Sequence, residues 1–240
     1  FADLEKKTKL TTDHIFRIAS HSKTFTATAL MQLQDQCKLR LDDCIADYLP
    51  WLRQHKDRRW LKVTLRQLMS HGAGVIRDGI DSDYWQLERP FPNEDELRKE
   101  ILEAELVIDG NTKLKYSNYG YSLLGMVIKE ASGSTYNDYV TKYIVEPLGL
   151  KLTGPEYTDS IIDKIVTGYT RRDVDKARLP IANIDTQAMA SATGFYSTAQ
   201  EMCTYFAAHA VGADKLLDDE SKKEMQRVHF RAKVRSKDNA

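Results

Sequence analysis

Cysteine is scarce in this 240-residue chain. The three present, Cys37, Cys44 and Cys203, form no Cys-x-x-Cys pair and no cluster with histidine, which excludes a structural zinc site of the usual spacing. They read as small buried hydrophobes, and sequence alone leaves open a disulfide between Cys37 and Cys44 across the turn CKLRLDDC. Charge of one sign is not in excess either: 35 Lys plus Arg balance 35 Asp plus Glu and interleave with them along the whole length. With neither a basic excess nor a basic stripe, nucleic acid is set aside as a partner. Long apolar runs are also missing; the longest, such as LLGM, fall far short of the roughly 20 residues a membrane-spanning helix needs. The first residues, FADLEKKTKL, contain no initiator Met and no apolar signal core, so any targeting segment is expected upstream. No internal repeat or low-complexity linker interrupts the chain. What remains is a 42% hydrophobic composition, that of a globular protein long enough to bury a core as one large domain or two small ones.

Helical pattern exceeds strand pattern. HIFRIA (14–19) alternates as a short strand or extended entry would, and SKTFTATALMQLQDQ after it has a helical period, with Phe25, Leu30, Leu33 and the alanines on the apolar face. A short helix in LDDCIADYLP is expected to be capped by Asp42 or Asp43 and ended by Pro50. TLRQLMS is another, closed by the glycines of HGAG. Residues 78–93 read as an aromatic-rich loop, NEDELRKEILEAEL as an Asn-capped helix, and YGYSLLGMVIKEASG as an amphipathic helix ending at Gly133. STYNDYVTKYIVEPLGL reads as a Ser-capped helix, residues 151–196 as loop with one short helix near Ile161, and STAQEMCTYFAAHA and DDESKKEMQRV as two more capped helices.

Chemistry is suggested by RIASHSKTF. Serine is a weak nucleophile until a base takes its proton, and Ser20 and Lys23, at i and i+3 of a helix, project from the same face. Ser22 adjoins Lys23 and points elsewhere. With 13 serines and 20 lysines, about one Ser-x-x-Lys is expected by chance, and alone the motif is better read as a polar helix start with an exposed lysine. A second element is Tyr116-Ser117-Asn118, the only Tyr-x-Asn among 12 tyrosines. A tyrosine near a cationic lysine is a plausible proton shuttle, and an asparagine amide both donates and accepts at a substrate amide; the alternative is a loop tyrosine packed under a helix. SHGAG (70–74) is similar to a lipase oxyanion loop, but no Gly-x-Ser-x-Gly elbow accompanies it, so it reads as a turn.

Taken in order, FRIASHSKTFTATALMQL, KLRLDD, YLP, VTLRQLMSHGAG, KYSNYGYSLLGMVI, PLGL and ATGFYSTAQEM resemble the serine β-lactamase and penicillin-binding-protein superfamily. The resembling branch contains class C β-lactamases, D-Ala-D-Ala carboxypeptidases, D-aminopeptidases and esterases, and the resemblance runs from about Thr12 to Val228. It implies an α+β fold, here mainly helical with few short strands. It implies that Ser20 forms an acyl-enzyme, that Lys23 partners it in proton transfer, that Tyr116 is general base and acid, and that Asn118 binds the substrate's amide and steadies the lysine. The Ser20 backbone N–H would supply half of an oxyanion hole. The substrate expected is a small molecule or peptide: a β-lactam, a D-amino-acid peptide or an ester. No metal or organic cofactor is implied, and the resemblance favours an extracytoplasmic location. His21 occupies a position that varies in such motifs, ATGFYST reads as a turn near the site, and the loop from Asp78 makes Tyr84 and Trp85 candidate cleft residues, with packing within the loop as the alternative.

The sequence departs from this family in one motif. Lys-Thr-Gly or His-x-Gly, expected on a cleft strand after STAQEM, is absent, and KLTG at Lys151 is misplaced. Sheet strands expected before Phe1 and after Ala240 are also missing. Three segments follow: 1–23, a remnant of the α/β domain leading to the nucleophile helix; 24–190, mainly helical; and 191–240, helices returning to the α/β domain. Apolar helix faces left without a sheet point to an oligomer or a partner segment that supplies the missing strands. A non-catalytic remnant that binds a peptide or protein is the competing expectation.

Overall fold

A computed structural model of the chain describes residues 1–171 and 177–231. Residues 172–176 of the expected middle segment and 232–240 of the last lie outside the described residues. Among the described residues, four strands of two residues each contribute almost nothing to the architecture, which is mostly helical. β1 (Phe16–Arg17) pairs antiparallel with β4 (Tyr196–Ser197), and β2 (Gly168–Tyr169) with β3 (Pro180–Ile181). Of the expected HIFRIA strand only β1 forms, while Ile15 makes a single parallel bridge to Ile165.

The centre of the molecule is α1 (Ser22–Asp35). Phe25 stacks between Phe195 and Tyr205 at centroid distances of 4.1 and 3.8 Å, and Ala29, Leu30, Met31 and Leu33 are also buried. The sequence pattern assigned this helix one apolar face. It is in fact surrounded, and Thr26 and Thr28 go inside as well because each finds a partner: the Thr26 hydroxyl donates to the Ser191 carbonyl at 2.6 Å, and the Thr28 hydroxyl lies 3.0 Å from that of Tyr205. A buried hydroxyl without such partners would cost more than the packing returns.

Around α1 stand α2 (Ile45–Tyr48), α3 (Leu65–Met69), α4 (Glu94–Glu103), α5 (Asn118–Ser132) and α6 (Tyr136–Val140), the last continuing into a π turn over Thr141–Val145. α7 (Ala199–Ala207) and α8 (Asp219–Met225) complete the set. Capping boxes start α3 at Thr64 and α4 at Asn93, and Gly133, at φ +72°, ends α5 in the left-handed conformation that glycine adopts without strain.

Two expected caps are corrected. Cys44 is the N-cap of α2, with no side-chain cap bond; Asp43 instead accepts from the Arg40 N–H and the Tyr48 hydroxyl, and Asp42 accepts from Arg66. Thr135, not Ser134, caps α6 by accepting from the Asp138 N–H. The three cysteines are free thiols, Cys37 and Cys203 exposed and Cys44 half-buried, so neither the expected burial nor the disulfide is present. Uncovered apolar side chains do occur, among them Phe1, Leu10, Phe16 and Phe206.

Candidate active site

Ser20 does not open the helix as its spacing suggested. It sits in a 3-10 turn, Ala19–His21, just ahead of α1. Ala19 has φ +45°, a strained conformation for a residue with a Cβ, and the turn leaves Ser20 exposed while Lys23 is only 6% exposed. Ser22, the other serine of RIASHSKTF, faces inward and donates to the Ala19 carbonyl at 2.6 Å while accepting from the Phe195 N–H at 3.0 Å. It holds the turn against the 187–197 segment.

The structure brings Ser20, Lys23, Tyr116 and Asn118 together. The Ser20 Oγ lies 2.6 Å from the Tyr116 hydroxyl and 3.4 Å from Lys23 Nζ. Lys23 Nζ donates at 2.7 Å to Asn118 Oδ1 and at 2.7 Å to the Ala192 carbonyl, and it lies 4.9 Å from the centre of the Tyr116 ring. An amine with two of its tetrahedral directions fixed by acceptors has its third toward Ser20. Burial pushes the Lys23 pKa down to about 7, against a raising effect of Asp78 and a further lowering by Arg77. Near neutral pH the amine is therefore substantially unprotonated, with a lone pair available to the serine proton.

Tyr116 stands in the extended stretch before α5, against the His71 ring at a centroid distance of 4.5 Å. His71 is held neutral, its pKa pushed down to about 4 chiefly by burial and secondarily by Lys23. Its Nδ1 accepts the Ser117 N–H at 3.2 Å. The SHGAG segment thus positions the Tyr-Ser-Asn segment through this contact and through the His71 carbonyl, which accepts from the Lys115 N–H at 2.8 Å.

Tyr84 and Trp85 lie elsewhere. Tyr84 is fully buried, and its hydroxyl donates to the Asp78 carbonyl at 2.7 Å; Trp85 packs edge-on against Phe91 at 5.0 Å. Both belong to the packing of the loop, the alternative the sequence had offered. Sequence reasoning missed Asp78, whose Oδ1 accepts from Asn118 Nδ2 at 2.5 Å, and Ala192, which acts through its carbonyl. An acid beside a glycine in the loop already suspected of bordering the cleft was the available signal for Asp78; a main-chain acceptor leaves none. Among the described residues no group of three His, Cys, Asp or Glu side chains is placed to hold a metal ion, and no helix is long and apolar enough to cross a membrane.

This helical core with its serine, lysine and tyrosine belongs to a recognised class: the beta-lactamase family model matches residues 1–240, and the chain is a member of that family. "Beta-lactamase-like protein 2" of Dictyostelium discoideum is 29% identical over 205 residues, 84% of this chain and 37% of that protein. The chain spans about a third of the length of the curated relatives it matches. Among solved structures, a class C beta-lactamase from Rhodobacter sphaeroides superposes with a TM-score of 0.75 at 25% identity, covering 94% of this chain and 59% of that one. The octameric penicillin-binding protein homologue from Pyrococcus abyssi superposes with a TM-score of 0.82 at 21% identity, covering 97% and 53%. The β-lactamase/transpeptidase-like fold expected from sequence is thus the fold of this chain.

Proposed function

We propose that the protein is a serine hydrolase that works through an acyl-enzyme on Ser20. One observation carries the reading: the Ser20 Oγ is bracketed by the Tyr116 hydroxyl at 2.6 Å and Lys23 Nζ at 3.4 Å. In the acylation step Oγ forms a bond to the carbonyl carbon of an amide, lactam or ester, and its proton passes to the neutral Lys23 amine. The tetrahedral intermediate collapses as the carbon–nitrogen or carbon–oxygen bond breaks, and the proton held by Lys23 passes through the Tyr116 hydroxyl to the leaving group, which restores the neutral amine. Water then attacks the acyl-enzyme, with Tyr116 and Lys23 accepting its proton and returning one to Ser20. Asn118 keeps the amine aimed at Oγ. The Ser20 backbone N–H, ahead of α1, is the first donor of the oxyanion hole in this reading.

β-Lactams, D-amino-acid peptides and simple esters all present a carbonyl that this arrangement can acylate from, and the family relationship supports the hydrolase class rather than one of these substrates. A fluorescent penicillin and a fluorophosphonate test the reading. Covalent label on the wild-type protein that is lost in Ser20→Ala is the expected result; equal labelling of both proteins, or of neither, overturns it and favours a binding role.

A further inference from the structure

We propose that Asp78 is a positioning residue of this site: its carboxylate locks the Asn118 amide with the oxygen toward Lys23 and sets a negative charge one amide away from the lysine. The proposal rests on the reading of Ser20 and Lys23 as the reactive pair. Asn118 has one amide to present, and its two ends meet opposite partners. Its Oδ1 accepts from Lys23 Nζ at 2.7 Å, and its Nδ2 donates to Asp78 Oδ1 at 2.5 Å. Rotating the amide by half a turn would set its NH2 against the lysine and its oxygen against a carboxylate, losing both bonds and adding two repulsions in a setting where Asn118 is 3% exposed.

The loop that carries Asp78 is fixed to the start of α5 on several sides. The Ser117 hydroxyl donates to the Ile76 carbonyl at 2.7 Å, and the Asn118 N–H to the Arg77 carbonyl at 2.9 Å. The Tyr84 hydroxyl holds the Asp78 carbonyl. The burial of Tyr84 therefore contributes to the site indirectly, by fixing the acid. The second oxygen of Asp78 lies 3.0 Å from Arg77 Nε, but the arginine side chain is 66% exposed and that of Asp78 12%, so solvent screens the arginine far more than the carboxylate.

The groups facing Lys23 come from every neighbouring element. Asp78 and Arg77 act from the loop with opposite signs. His71, beyond the end of α3, is neutral near pH 7. The Tyr116 and Tyr121 rings lie 4.9 and 5.6 Å from Nζ. Arg66, Glu224 and His229 line a cavity of about 200 Å³ on another side of the lysine, where Arg66 and Glu224 pair with each other. Burial drives the lysine toward its neutral form, and Asp78 opposes that drive.

The test is a titration of Lys23 itself, by NMR of the protein labelled at the lysine ε-carbon, in wild type, Asp78→Asn and Arg77→Gln. The expected midpoint is about 7 in wild type, lower by about one unit in Asp78→Asn, and higher in Arg77→Gln, shifts of the size one nearby charge produces. The pH midpoint of Ser20 acylation by the fluorescent penicillin should move with it, and its maximal rate in Asp78→Asn should fall roughly tenfold or more from the loosened amide. A role in folding alone would lower the fraction of active protein and leave both midpoints where they were. An unmoved Lys23 midpoint in folded Asp78→Asn overturns the proposal, and if Asp78→Asn does not fold, an unmoved midpoint in Asp78→Ser, which keeps an acceptor for the Asn118 amide without the charge, does so alone. Midpoints that move while Ser20→Ala still labels like wild type would remove the hydrolase reading and keep the role of Asp78.

Discussion

The hydroxyl oxygens of Ser20 and Tyr116 lie 2.6 Å apart although 96 positions separate the residues in the chain. One stands in a strained, exposed turn, the other in an extended segment packed against the His71 ring and against Lys23 Nζ. In the proposed reaction this contact lets Tyr116 relay the proton between Lys23, the leaving group and Ser20. Tyr116→Phe keeps the ring contacts and removes only the hydroxyl, so we expect acylation of Ser20 to slow by roughly 100-fold to 10,000-fold, the range of positioned acid–base groups. The thermal melting curve should be unchanged, and stopped-flow labelling with the fluorescent penicillin measures the loss.

Activity should rise with pH through about 7. In the proposed reaction Lys23 acts as the free amine, and burial lowers its pKa to about 7. Below that value the amine is protonated and has no lone pair for the serine proton. Acylation at pH 6 is expected at roughly a tenth of its plateau. A rate that is flat between pH 5.5 and 8 would contradict this assignment.

Stability should carry the same signature. A lysine whose folded-state pKa lies near 7, below its ordinary 10.5, binds fewer protons in the folded than in the unfolded state between those two values. Stability therefore increases with pH across that window, and the cost of holding the charge indoors is fully present below about 7. Lys23→Met removes the effect. Urea midpoints of wild type relative to Lys23→Met, taken from pH 7.5 to 9.5, should rise by an amount corresponding to about 1 kcal/mol per pH unit.

Gly74 is required by backbone geometry. It has φ +79°, and a Cβ built there would lie within about 2 Å of the Ile108 carbonyl oxygen. Gly74→Ala should destabilise the protein by about 2 kcal/mol or more, detectable as a lowered chemical denaturation midpoint. Gly133→Ala, whose glycine also has a positive φ but has no atom within 4 Å of the added carbon, should cost less, about 1 kcal/mol.

Much of the helical architecture was legible in the sequence because its signals are local. Thr64 and Asn93 cap where their side chains precede a polar and apolar alternation, Gly133 closes α5, and Pro50 ends α2. Where two adjacent residues can both cap, the local signal fails: Asp43 was drawn away by Tyr48 and the Arg40 N–H, and Thr135 prevailed over Ser134. The aromatic loop misled for a related reason. Tyr84 and Trp85 resemble cleft residues in composition, yet a tyrosine whose hydroxyl finds a carbonyl can be buried completely, and Tyr84 is.

By itself the sequence carried most of the helix pattern in local periodicity and capping, and its resemblance to the family pointed to Ser20, Lys23, Tyr116 and Asn118 as one candidate group. Only the tertiary structure decided that Ser22 faces inward, that the Ala192 carbonyl and Asp78 complete the polar chain, and that Lys23 is buried enough to lose its proton near neutrality. The division follows from range. Periodicity and capping act over three or four residues, whereas the surroundings of this one amine come from chain segments as far as 95 and 169 positions away.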